Sequence, residues 1–146
     1  METQQLIEGA PEERAAKVES ALRCTLERNG VSLRRGTYQG VKEGKVCEAC
    51  ALGTLALSLG LVLNKYGARS NRRKILDLAA GSSFLSRDEA MQLELGFEGV
   101  SCRAEALGFS YEGVTVDRSS PFYQLGARLS ADSVGNSAVR LAAAYY

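Results

Sequence analysis

Apolar residues recur at helical spacing in several blocks along this chain, and glycine-rich stretches separate the blocks. Ala15, Val18, Leu22 and Leu26 fall on one face of a helix that opens at Pro11-Glu12-Glu13 and stops at Gly30. Cys24 falls almost opposite that face, near Lys17 and Arg28. Residues 31–46 carry Gly36, Gly40 and Gly44 among Thr37, Tyr38, Val41 and Val46, which predicts a loop or short hairpin. The 16 residues between Glu48 and Lys65 are uncharged and predict a buried central helix over 48–66, reaching Tyr66 and Gly67. A further helix starts after Ser70-Asn71, runs through Ile75, Leu76, Leu78 and Ala79, and takes Gly81 as its cap.

Ser86-Arg87-Asp88-Glu89 is a capping box, which predicts a helix from Arg87 to Leu95 that stops at Gly96. The stretch from Val100 to Val116 fits neither period. Ser120-Pro121 opens a helix with Phe122, Leu125 and Leu129 on its face, and Asn136 opens an alanine-rich last helix whose Tyr145-Tyr146 end docks on the body. Tyr38-Gln39-Gly40-Val41, Phe97-Glu98-Gly99-Val100 and Tyr111-Glu112-Gly113-Val114 echo one another and read as similar turns, with glycine supplying a positive φ. The fold expected is a predominantly α, compact single-domain bundle over 11–146, with a small irregular or β element near 33–46 and a flexible tail over 1–10.

Composition narrows the chemistry. At 146 residues the chain can bury roughly two thirds of the surface its unfolded form exposes. Hydrophobic content of 45% and charged content of 24% are those of a globular protein. The chain has no His, the commonest acid–base and metal-binding side chain near neutral pH, which argues against most hydrolase and oxygenase sites. The polar start Met1-Glu2-Thr3-Gln4-Gln5 lacks the pattern of a secretory signal, and the uncharged stretch before Lys65 is short for a bilayer span. A cytoplasmic protein with four reduced cysteines and no membrane association is therefore expected.

A formal charge of +1 hides an asymmetry: residues 1–30 carry net −2, residues 31–74 net +7 and residues 75–146 net −4. Arg34, Arg35, Lys65, Arg69, Arg72, Arg73 and Lys74, with Lys42 and Lys45, make the middle basic. Clustered bases can grip nucleic acid or another polyanion, or complement the acidic C-terminal half within the fold or across a subunit contact.

The most chemically suggestive motif is Cys47-Glu48-Ala49-Cys50. A helix N-terminus lowers a thiol pKa and suits a redox dithiol, but the only prolines are Pro11 and Pro121, and the thioredoxin setting wants a further proline facing the pair. Zinc would need Cys47, Cys50, Cys24 and Cys102 together, since a structural site takes four sulfur or nitrogen donors. Alternatively the two thiols simply pack a helix start. Gly53, Gly60 and Gly67 recur every seven residues and would let a neighbouring helix approach. Among Asp88, Glu89 and Glu94, the capping box explains Glu89, and the other two read as solvated positions.

Gly40, Cys47-x-x-Cys50-Ala51-Leu52-Gly53, Gly96-Phe97-Glu98-Gly99 and Phe122-x-x-Leu125-Gly126-x-Arg128-Leu129 together resemble a pattern found in short, uncharacterised bacterial and phage-borne proteins. The resemblance implies a small accessory protein, of the kind used in host takeover or defence evasion, that acts by binding. The expectation is thus a non-enzymatic, self-associating or protein-binding molecule without a cofactor. A nucleic-acid-binding module and a cysteine-dependent zinc or redox site are the alternatives.

Overall fold

A computed structural model describes residues 9–36, 38–61, 68–81, 85–100, 110–111 and 113–133. The protein is predominantly α with a small β element. Helix α1 (Pro11–Asn29) has proline and two acids in its first turn and ends at Gly30, whose φ of 64° lets its N–H turn back onto Glu27 O and Leu26 O. Ala15, Val18 and Leu22 are buried as their spacing predicts, while Thr25 takes the fourth buried place and returns its hydroxyl hydrogen to Ala21 O.

Three short strands follow, β1 (Ser32–Leu33), β2 (Gln39–Lys42) and β3 (Lys45–Ala49), in the order β1-β3-β2. β1 runs parallel to β3 and β2 antiparallel to it. The β2–β3 turn places Glu43 at φ 55° and Gly44 at φ 75°, the double left-handed geometry of a tight hairpin. The hairpin expected near 33–46 is therefore present, and it extends to Ala49.

Because β3 claims the residues up to Ala49, helix α2 is only Ala51–Ser58, much shorter than the 48–66 expected. It ends in a Leu59-Gly60 turn with Gly60 at φ 84°, so Gly60 breaks the helix instead of lining a glycine stripe along it. Helix α3 (Ala68–Gly81) precedes α4 (Arg87–Glu98), where the Ser86/Glu89 capping box forms as expected. α4 does not stop at Gly96; it runs to Glu98 and is capped by Gly99 at φ 82°. A small hairpin, β4 (Ser110–Tyr111) and β5 (Val114–Thr115), leads to α5 (Pro121–Ala131), which buries Phe122, Leu125 and Leu129. Of the three echoed tetrapeptides, Gly99 and Gly113 take positive φ, whereas Gly40 lies within β2. The helix expected from Asn136 and the Tyr145-Tyr146 end lie outside the described residues, as does nearly all of the 1–10 tail. No helix among the described residues is long and apolar enough to cross a membrane.

The helix at the centre is α4. Every residue from Ala90 to Glu98 is buried, and α5, α2 and α3 pack around it. Its contact with α5 is backbone to backbone. A Cβ on Gly96 would stand 2.0 Å from Tyr123 O, and one on Gly126 would stand 2.2 Å from Leu93 O. Neither neighbour can yield, because both are main-chain atoms. Gly53 plays the same part between α2 and the start of β2, where a Cβ would meet Tyr38 O at 1.4 Å.

Gly96→Ala and Gly126→Ala should each lose about 3 kcal/mol or more of unfolding free energy, the upper range for overpacking. Gly81→Ala, at a helix end with open space around it, should be neutral or gain up to about 1 kcal/mol. Urea unfolding of the three variants checks this; similar effects at all three positions would contradict the close crossing.

Candidate buried acid and thiol site

Where α4 faces the start of α2, three ionisable side chains meet inside the protein. Cys50 is the residue before α2, with extended backbone, and its Sγ accepts the Gly53 N–H at 3.4 Å. Its carbonyl holds the Thr54 hydroxyl at 2.8 Å, so the helix start is fixed from both sides. Glu94 and Glu98 lie one turn apart on α4. The Cys50 sulfur and one oxygen of each carboxyl all lie within 4.8 Å of one another. Cys50 is 1% exposed and both glutamates 0%.

The two acids are supported unequally. Glu98 accepts the Gly36 N–H through both oxygens, at 2.9 and 3.1 Å, from the loop after β1. The Cys50 thiol and the Leu52 N–H bear on Glu94, but neither of its carboxyl oxygens has a hydrogen-bond partner of normal geometry among the described residues. Arg72, itself 6% exposed, bears on Glu94 with its charge, and Arg35 bears on Glu98.

Burial dominates the electrostatics. It pushes Glu94 well above the usual carboxylate range, Glu98 adds to the shift by like-charge repulsion, and the Cys50 thiol, Arg72 and the Leu52 backbone offset it only in part. Burial likewise raises Glu98 to about 7 against the favourable Gly36 N–H and Arg35. The Cys50 thiol is pushed well up by burial and then by the two carboxylates, and the N–H groups of Gly53 and Leu52 at the helix start do not reverse this. Redox exchange needs a lowered, accessible thiol, and Cys50 is the opposite.

The sequence-predicted site residues are dispersed. Cys47 sits on β3 and its thiol donates to Gly40 O at 3.4 Å. Cys24 is exposed on α1 in a shallow cleft with Lys17 and Arg28. Cys102 lies outside the described residues. Among those that are described, Cys50 is the only cysteine gathered with other metal-ligating side chains, and its companions are carboxylates. The basic set also divides. Arg72 turns inward, Arg35 sits beside Glu98, and Arg34 pairs with Glu48 at 2.9 Å. Arg73 and Lys74 are exposed on α3. Arg69 belongs to α3, and Lys65 lies outside the described residues.

Glu94, expected at a solvated position, is instead fully buried, because α4 has no solvent face beyond its first turn. Glu94 and Glu98 are the functional candidates the sequence reading missed. A signal was present: two acids one turn apart interrupt Ala90-Met91-Gln92-Leu93-Glu94-Leu95-Gly96-Phe97-Glu98, with no base within that stretch to pair them.

An acid whose folded value lies above its unfolded value favours folding at low pH and opposes it at high pH. For Glu98, flanked by Glu94, Cys50 and Arg35, the window is from 4.5 to about 7. In chelator-treated protein, wild type should lose a few kcal/mol relative to Glu98→Gln as pH rises through that window, at about 1.4 kcal/mol per unit. Chemical unfolding of both proteins across pH checks this, and a flat difference curve would contradict it.

Comparison with protein-family models, with curated proteins and with solved structures finds no match to this chain.

Proposed function

We propose that this chain is a small intracellular interaction protein that works by binding another protein or a second copy of itself, without turnover. One observation carries the reading: the groups whose acid–base behaviour is most perturbed, Cys50, Glu94 and Glu98, are sealed in the core. Perturbed groups that do catalysis normally line a cleft. All three are buried in the folded state, which leaves the outer surface to make contacts.

The surface offers a specific place for them. β2 is an edge strand of its sheet, and its Val41, 51% exposed, is the one exposed large hydrophobic side chain among the described residues. Exposed Lys42 and Lys45 flank it at the hairpin end. An unpaired strand edge with a central apolar residue and basic neighbours suits an extended, acidic segment of a partner. The accessory role in phages is drawn from the motif resemblance. For the nucleic-acid alternative, Arg73 and Lys74 on α3 remain as exposed cations from the cluster over 65–74.

Native mass spectrometry of untagged protein should show a defined self-assembly or a stoichiometric protein partner, and Val41→Glu should weaken that association at least about tenfold, the equivalent of 1.4 kcal/mol. Reproducible turnover lost on changing one polar residue would contradict the proposal. So would nucleic-acid binding that falls steeply with salt and disappears with Arg73→Glu plus Lys74→Glu.

A further inference from the structure

We propose that Cys50, Glu94 and Glu98 form a buried site for a divalent transition-metal cation of the zinc class, enclosed as the chain folds. The donors come from two separated parts of the chain, the β3–α2 junction and α4, so a bound ion would tie the sheet to the central helix. Three protein donors already lie within 4.8 Å of one another. Zinc–sulfur and zinc–oxygen bonds of about 2.3 and 2.0–2.2 Å in a tetrahedral arrangement put neighbouring donors roughly 3.5 Å apart.

The second observation is independent of the clustering. Glu94 is fully buried, and both its oxygens lack a hydrogen-bond partner of normal geometry among the described residues. Buried polar atoms without partners are rare and costly. An ion bound between Glu94 and Cys50 supplies the missing partner. The outer surroundings fit as well. Gly36 N–H bonds hold the Glu98 carboxyl in place, as outer partners do for metal-binding carboxylates. Charge is compatible: a thiolate and two carboxylates leave one net negative charge around a doubly charged ion, and Arg72 and Arg35 bear on the two carboxylates with opposite charge.

Donor chemistry selects the ion class. A thiolate with two carboxylates is too soft for magnesium or calcium and suits zinc, cobalt or ferrous iron. The three donors leave a fourth position, but the burial of all three separates this site from a catalytic zinc centre, which keeps that position open to substrate. Because the donors are enclosed, loading accompanies folding.

The test unfolds the full chain in denaturant with chelator and refolds it in metal-free buffer with cobalt or zinc. Cobalt should bind one per chain with a sulfur-to-metal charge-transfer band, zinc should displace it, and zinc should raise the melting temperature. Cys50→Ser should abolish the charge-transfer band, and Glu94→Gln should lower affinity by more than the roughly 10–100-fold that an outer partner costs. Cys24→Ser, Cys47→Ser and Cys102→Ser should leave the band intact. Absence of one-to-one binding by the wild type overturns the proposal whether or not any variant folds. A band that survives Cys50→Ser and is lost with another cysteine overturns it equally.

Discussion

A helix buried at every residue from Ala90 to Glu98 has to be satisfied around its whole circumference, and α4 meets that demand with different chemistry on different sides. Toward α5 it offers Gly96, which with Gly126 lets the two backbones touch. Toward the β4–β5 hairpin it offers Gln92, whose amide donates to Thr115 O at 2.8 Å and accepts Asp117 N–H at 3.1 Å. Toward α2 it offers the two carboxyls that meet Cys50. The capping box and the Arg14–Glu89 ion pair fix the first turn, the one part of α4 that reaches solvent.

Enclosure on this scale explains why the acids behave as they do. An isolated charge in a low-dielectric interior is far more expensive than a lost hydrogen bond, so a buried carboxyl shifts its proton affinity before it stays ionised. Two such groups one turn apart reinforce each other, since like charges at that spacing repel even on a solvated helix. The arginines and the Gly36 N–H reduce the cost without removing it. Ion pairs at the rim, such as Arg23–Asp132 and Arg128–Glu19, join α1 to α5 in water and contribute far less each.

Local signals in the sequence identified those elements whose caps and periods agree. Pro11 with Gly30, the Ser86/Glu89 box and Ser120-Pro121 each mark a helix end that the structure keeps. Errors arose where one residue type serves two purposes. Gly96 reads as a helix stop, but the missing Cβ serves the α5 crossing, and Gly99 does the stopping. The uncharged run after Glu48 reads as one long helix, yet its first residue, Ala49, ends the central strand of a three-stranded sheet, and Gly60 breaks the helix after Ser58. The site was legible only in part. Cys50 stood out through its motif, while the two acids that interrupt the apolar run of α4 gain their meaning from the packing, which leaves that helix no outer face beyond its first turn.

The central claim is that two carboxyls sit sealed beside a thiol, and carbon-13 NMR titration of the glutamate side-chain carboxyls in metal-free protein tests it most directly. The account predicts two signals that change far above the rest, with Glu98 changing near 7 and Glu94 held well above its ordinary range, the two titrating as a pair. A full set of glutamate carboxyls all titrating near 4.5 would contradict the enclosure of α4 on which the fold and the site both depend.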